Sequence, residues 1–193
     1  QPFCTPTAFW REGDRLYWHG SSASRMVRFQ GPGVPVCLTV THLDALIVAR
    51  SAFHHSVNYR SIMAFGTARL VADGAEKLRS INGFVDRFYP GRSTELRPHK
   101  GQEIKATSFI VMEIEQASAK IRETHVSDDE EDYALPISAA RIPVRQVIGD
   151  IEPCPRQMPG VPVSASMAGY RPGRTLDDAL RDANAGYKAH PAD

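Results

Sequence analysis

The sequence is poor in cysteine, in net charge and in long apolar runs, and each shortage removes a class of function. Its three cysteines, Cys4, Cys37 and Cys154, are odd in number, far apart and without a Cys-x-x-Cys pair. That pattern argues against a disulfide framework and against a zinc site, and a reducing cytoplasm is the expected setting. Lys and Arg total 23 against 22 Asp and Glu, so no global positive field gathers nucleic acid or an anionic membrane surface. Any anion site has to be local. No apolar run approaches the ~18 to 20 residues of a membrane-spanning helix, and no stretch carries the charged start and apolar centre of a secretory signal. An initiator Met is lacking as well. Gln1-Pro2-Phe3 reads as the middle of a strand, so a further N-terminal strand or helix is expected ahead of it.

What is present is an ordinary globular composition, 193 residues with 42% hydrophobic and 23% charged, enough to bury a core. Phe3 to Trp10 and Leu16 to His19 are β-rich runs split by Glu12-Gly13-Asp14, the pattern of a hairpin. Ser21 to Phe29 then carries Met26, Val27 and Phe29 between basic residues, which predicts a short serine-capped helix ended by Gly31-Pro32-Gly33. Val34 to Thr41 and Ala45 to Ala49 are β-branched and apolar, and the corner His42-Leu43-Asp44 between them predicts a second hairpin. Tyr59 to Ala72 reads as a long strand with Ile62, Ala64, Ala68 and Leu70 on one face, and Gly66 marks a bend or bulge.

Asp73 and Glu76 resemble a capping box, after which Leu78, Ile81, Val85 and Phe88 recur at helical spacing until Pro90-Gly91. Thr107 to Glu115 alternates as a strand, and Ala117 to Arg122 continues it as a last one. The acidic run Asp128 to Asp132 is expected to be a solvated loop. Beyond Pro143 the chain turns rich in Pro and Gly and should run over the surface, with a short helix from Thr175 to Arg181. These signals divide the chain into a domain over 1–150 and an extension over 151–193.

The stretch with most chemistry is Leu16-Tyr17-Trp18-His19-Gly20-Ser21-Ser22-Ala23-Ser24-Arg25-Met26. Here a strand passes through a Gly and three hydroxyls into a helix carrying an Arg. Free N–H groups at a helix start, Ser hydroxyls and an Arg fork all favour a phosphate dianion. A plain serine-capped helix with a solvent-facing Arg has the same spacing.

The run His19 to Met26, followed by His54-His55-Ser56-Val57-Asn58-Tyr59-Arg60-Ser61 and Phe65-Gly66-Thr67-Ala68, resembles the pyridoxamine 5′-phosphate oxidase-related, FMN-binding split-barrel superfamily. Its nitroimidazole-resistance-protein-like branch is the closer likeness. The likeness covers most of residues 1 to about 150. It implies a mainly β fold, a Greek-key split barrel of about six antiparallel strands with a few flanking helices. It further implies FMN as cofactor, bound at the seam of a homodimer, and electron or hydride transfer to a small-molecule substrate with NAD(P)H as a candidate donor. By the same resemblance the backbone at Thr5, Pro6 and Thr7 lies along the flavin ring. His19, Gly20, Ser21, Ser24 and Arg25 meet the phosphate, and Tyr59, Arg60 and Ser61 contact ring or phosphate.

Two departures stand out. Met26 occupies a place that is Lys in the oxidases, and Gly173-Arg174-Thr175-Leu176-Asp177-Asp178 carries no Arg-x-His element, so oxidation of vitamin B6 is not expected. Relatives that hold a deazaflavin or haem in the same groove supply an alternative in which His54 or His55 ligates haem iron. A non-catalytic flavin-binding or sensing protein is another.

The remaining polar residues say less. His54 and His55, with His42 nearby in sequence, lack a Cys or carboxylate at ligand spacing, so no metal site is expected. Either could instead serve as a hydrogen-bonder or proton donor to substrate. Arg50 and Ser51 could complete a polar lining, although an Arg at a strand end usually faces solvent. Asp129, Glu130 and Glu131 read as surface charge, and no Gly-x-Ser-x-Gly elbow marks a hydrolase.

Overall fold

The computed structural model describes residues 4–30 and 32–187. Phe3 at the start of the first expected strand, Gly31 of the expected helix stop, and the end of the 151–193 extension lie outside the described residues. The chain divides into two compact units, one formed by Gln1–Val36, Gly66–Ile114 and Gln146–Asp193, the other by Cys37–Phe65 and Glu115–Arg145. The expected mainly β architecture is present, with seven strands among the described residues where about six were expected: β1 (Phe9–Glu12), β2 (Arg15–Ser21), β3 (Val34–Val48), β4 (Ser56–Leu70), β5 (Thr107–Glu113), β6 (Gln116–Arg122) and β7 (Ala140–Pro143), in the hydrogen-bonded order β1-β2-β5-β4-β3-β7 with β6 also on β4. This order is an open path.

In the first unit, β1 (Phe9–Glu12) and β2 (Arg15–Ser21) form the expected hairpin, with Trp10 opposite Tyr17. Gly13 turns the chain at φ 56°, a conformation that costs glycine little. β1 is shorter than the sequence implied, because Cys4 to Ala8 form no strand. On its other side β2 pairs with β5 (Thr107–Glu113), whose residues Ser108 to Met112 are all buried. A strand covered on both faces reads as a continuous apolar run, and Phe109-Ile-Val-Met112 is one.

Over this sheet lies α2 (Gly74–Phe88), capped by Asp73, whose carboxylate accepts the Glu76 N–H at 2.7 Å. Trp10, Tyr17, Val71, Phe109 and Val111 form the buried cluster, and Ile81 and Phe84 of α2 pack on it. Trp10 stacks on Tyr17 with ring centroids 5.1 Å apart, a contact worth ~1 kcal/mol beyond its area.

The Pro-rich tail is tied to the same unit. Tyr170 donates to the Phe88 carbonyl at 2.5 Å, and Tyr187 donates to Glu12 at 2.5 Å. α4 (Leu176–Gly186) is capped by Thr175 and buries Ala179 and Ala183.

The second unit corrects the expected hairpin at His42-Leu43-Asp44. β3 (Val34–Val48) runs through it as one strand of 15 residues. A tight hairpin needs residues that accept positive φ, and Thr41 to Asp44 supply no Gly or Asn. Asp44 instead takes a bidentate hydrogen bond from Arg60 of β4 (Ser56–Leu70), at 2.8 to 3.2 Å. β4 pairs with β6 (Gln116–Arg122), Tyr59 opposite Arg122 and Phe65 opposite Gln116. β7 (Ala140–Pro143), which the sequence did not announce, pairs with Ala45 to Val48.

The acidic run also departs from expectation at its first residue. The Asp128 side chain is fully buried and accepts the Arg50 N–H at 3.1 Å and the Arg50 guanidinium at 2.9 Å. Burial pushes the Asp128 pKa up, but the hydrogen bonds and charge of Arg50 outweigh it and hold the carboxyl below its ordinary value. Arg50, expected to face water, is thereby mostly covered. Glu130 to Ala134 form an exposed 3-10 turn, as surface charge would.

Candidate functional site

The corner after β2 is built from its own hydrogen bonds. Ser24 ends the turn with its N–H on the Ser21 carbonyl at 2.8 Å, and its hydroxyl accepts the Val27 N–H at 3.2 Å, capping α1 (Arg25–Gln30). The Ala23 N–H goes to the Ser21 hydroxyl at 3.3 Å, and the Ser22 N–H to the Ala106 carbonyl at 3.0 Å, where α3 (Gly101–Ala106) ends. Trp18 fixes the far end of α1 by donating to Gln30 at 3.0 Å. Gly20 is wedged in the bend: a Cβ there would lie 3.0 Å from the Met26 methyl and 3.2 Å from Val27. Close approach of strand and helix therefore requires the glycine.

This wiring changes how an anion would be held. The N–H groups of Ser22, Ala23, Ser24 and Val27 are already engaged inside the corner, and α1 has six residues, too few for much of a dipole. Exposed side chains are what the corner then offers an anion most openly. Ser21, Ser22 and Arg25 are exposed, and α1 carries Arg25 and Arg28 with no acid in its first turn. Arg25 lies against Phe29 at 5.9 Å. A guanidinium and hydroxyls so placed could hold a phosphate ester at the surface of the corner. Met26 is half-buried against Gly20, as an apolar side chain replacing Lys would be.

His19 is the exception within the run. Side chains alternate along a strand, so Trp18 and Gly20 meet α1 while Tyr17 and His19 turn to α2. The His19 imidazole sits 4.5 Å from the Phe84 ring and 5.6 Å from Phe109. Burial pulls its pKa below the usual value, and its Nδ1 is buried without a hydrogen-bond partner. Only its backbone stays at the corner.

Thr5, Pro6 and Thr7 precede β1 as non-strand chain, Thr5 and Pro6 exposed, with the Thr7 hydroxyl on the Ala8 carbonyl at 3.2 Å.

Tyr59, Arg60, Ser61, His54 and His55 belong to the second unit. Arg60 is committed to Asp44, Ser61 shares a hydrogen bond of 2.8 Å with Thr41, and Tyr59 lies under the Lys120 ammonium at 5.9 Å. His54 Nε2 is 3.4 Å from Asp129. His55 is exposed, and its Nδ1 is held at 2.8 Å by the Ser51 carbonyl. Beside them, Arg50 Nε and Ser51 Oγ are buried with no partner. No cluster of three metal-ligating residues occurs among the described residues, and no helix among them is long and apolar enough to cross a membrane. Sequence reasoning missed Asp128, which shapes this region through Arg50, and missed Phe84 and Phe109 as neighbours of His19; the helical face it did mark, Leu78, Ile81, Val85 and Phe88, leaves Phe84 out.

Comparison with known proteins bears on both units. The family model described as pyridoxamine 5′-phosphate oxidase matches residues 1–121. No curated protein matches the chain. Among solved structures, the flavocytochrome Anf3 from Azotobacter vinelandii is 46% identical, with a TM-score of 0.83 over 90% of this chain and 80% of that one. An FAD- and haem-binding protein from Mycobacterium smegmatis is 35% identical, with a TM-score of 0.83 over 89% of this chain and 84% of that one. A Bacteroides thetaiotaomicron protein linked to 5-nitroimidazole antibiotic resistance is 19% identical, with a TM-score of 0.48 over 62% of this chain and 68% of that one.

Proposed function

This chain belongs to the pyridoxamine 5′-phosphate oxidase family and has its split-barrel β fold, and we propose that it is a flavin-binding redox protein. The observation that carries this reading is the likeness, over nearly the whole chain, to a flavocytochrome and to an FAD- and haem-binding protein. The flavin phosphate is held at the corner, by the Arg25 guanidinium with the hydroxyls of Ser21 and Ser24. The sequence resemblance favours FMN, and the relative that binds FAD makes that nucleotide the rival. When bound, the flavin supplies hydride or electron transfer, while the chain supplies affinity and orientation. Gly20 keeps α1 close enough to present Arg25, and Thr5 to Thr7 offer backbone groups to the ring.

Haem is a second cofactor in this reading. Both relatives carry it or are cytochromes by description, and the His55 geometry favours it. A metal-bound His typically donates its other ring nitrogen to a carbonyl. His55 Nδ1 already meets the Ser51 carbonyl, which leaves Nε2 for iron. His54, close to Asp129, is the alternative ligand or a proton donor to substrate.

A second copy of the chain completes the site. Ile62 and Ile121 of the β4–β6 pair are 53% and 67% exposed, apolar surface of the kind that marks an interface. The three exposed free thiols suit a reducing cytoplasm.

The absorption spectrum of the purified protein tests this reading directly. Flavin bands and a haem Soret band are expected, with haem lost and flavin kept in His55→Ala. A charge-assisted bond contributes about 1.5 to 3 kcal/mol, so Arg25→Ala should weaken the preferred flavin by roughly one to two decades, and Ser24→Ala by less. A colourless protein that takes up neither FMN nor FAD overturns the proposal.

A further inference from the structure

The turn that carries His54 and His55, between β3 and β4 in the second unit, is tied at both ends to the stretch of chain that follows β6. At its start the Arg50 backbone N–H donates to the Asp128 carboxylate at 3.1 Å, and the Arg50 guanidinium donates to the same carboxylate at 2.9 Å. That carboxylate is fully buried. The Asp128 N–H in turn donates to the Tyr133 hydroxyl at 3.3 Å, and the Tyr133 ring lies 5.0 Å from the Arg50 guanidinium. Past the turn, the fully buried Asn58 donates to the Thr124 carbonyl at 2.8 Å and accepts the Thr124 N–H at 3.2 Å.

Between these ties Ser51 is the pivot. Its carbonyl accepts the His54 N–H at 3.3 Å and meets His55 Nδ1 at 2.8 Å. A carbonyl only accepts, so Nδ1 carries the proton, and the neutral ring presents its lone pair at Nε2. Which nitrogen is protonated therefore depends on where the Ser51 carbonyl points. The Ser51 side chain does not cap the turn, whereas Asp128 grips the residue just before it through charge-assisted hydrogen bonds, about twice as strong as neutral ones. We propose that Asp128 is a positioning residue for His55: by holding Arg50 it fixes the Ser51 carbonyl, which sets the Nδ1–H tautomer and leaves Nε2 unprotonated. Its consequence for haem rests on the reading above in which His55 Nε2 meets the iron. Losing the hydrogen-bond partner of a metal ligand costs roughly 10- to 100-fold in affinity, and Asp128 stands one step behind that partner, so about tenfold is expected.

Nitrogen chemical shifts of His55 in the purified full-length chain, stripped of haem and held at pH ~8.5 where an ordinary imidazole is neutral, read the tautomer. A titration with haem, followed at the Soret band, reads the affinity. In the wild type Nδ1 should be the protonated nitrogen. Asp128→Ala should give a mixture of tautomers and bind haem about tenfold more weakly. Asp128→Asn, which keeps the size and one acceptor oxygen, should fall between, and it decides the matter alone if Asp128→Ala fails to fold. Asp73→Ala, a helix cap lost in the other unit, should change neither readout, which separates positioning from general loosening. A wild-type His55 protonated at Nε2, a tautomer or haem affinity unchanged in every Asp128 variant that folds, or an equal shift in Asp73→Ala overturns the proposal. A chain that takes up no haem yet shows the tautomer shift supports the placement of His55 and overturns the haem reading alone.

Discussion

Gly66→Ala should be among the most damaging single-methyl changes in this chain. A Cβ at Gly66 would lie 2.0 Å from the Glu113 carbonyl oxygen and 2.8 Å from Met112 Cγ, well inside van der Waals contact. The carbonyl cannot retreat easily. β5 is hydrogen-bonded to β2 on one side, with Glu113 opposite Arg15 and Met112 opposite Leu16, and to β4 on the other, with Met112 opposite Ala68. Adding a methylene to a packed core costs typically 1 to 3 kcal/mol; with backbone as the obstacle, about 3 kcal/mol or more is expected. For a chain of this size each kcal/mol moves Tm by roughly 2 to 4 °C, so the melting point should fall by roughly 6 to 12 °C. Gly74→Ala is the control. Nothing lies within 4 Å of a Cβ at Gly74, and Ala is the better helix former by up to about 1 kcal/mol, so that variant should melt at or above wild type. Thermal melts and guanidinium midpoints of the three proteins decide it. A Gly66→Ala protein melting within about 2 °C of wild type refutes the packing argument.

Two further outcomes follow from individual groups. Asp73→Ala removes the acceptor of the Glu76 N–H and should cost about 1 kcal/mol, with most of it restored by Asp73→Ser; denaturant midpoints read both. The His19 pKa is lowered by burial, so above pH ~6.5 the ring is neutral in both folded and unfolded chains and contributes nothing to pH dependence. As pH falls through that value the unfolded chain takes up a proton that the folded chain refuses, and stability drops until the folded pKa is passed. Guanidinium midpoints between pH 8 and pH 5 should decline less in His19→Leu than in wild type, and parallel curves would contradict the assignment.

Much of the fold was legible because its signals are local. Gly13 between two β-rich runs gives the first hairpin, the Asp73-Glu76 pair followed by Leu78, Ile81 and Val85 gives α2, and Gly66 declares a tight place in β4. The failures share a different cause. At His42-Leu43-Asp44 a polar corner looked like a turn, yet it holds no Gly or Asn, and Asp44 is polar because it meets Arg60 across 16 residues of chain. Asp128 looked like part of a solvated acidic run, and its burial depends on Arg50, 78 residues away. Partners so distant leave no periodic trace. In the site, the serines and Arg25 were visible as types, but the sequence could not tell that the corner's N–H groups would be engaged by Ser21, Ser24 and Ala106.

The alternation of a strand explains why one short motif serves two purposes. His19 and Gly20 are neighbours in sequence, and a reading by motif assigns both to one anion. Residue parity separates them: Trp18 and Gly20 share the face that α1 covers, shown by the Trp18–Gln30 hydrogen bond and the Gly20–Val27 approach. Tyr17 and His19 share the face that α2 covers, shown by the Tyr17 hydroxyl donating to Glu76 and by the His19–Phe84 contact. In the proposed reading an anion would therefore meet Arg25 and the serine hydroxyls, which are exposed or half-exposed at the corner. The His19 imidazole, set against Phe84 and Phe109 with burial lowering its pKa, turns to the face of β2 away from Arg25 and so does not join that constellation.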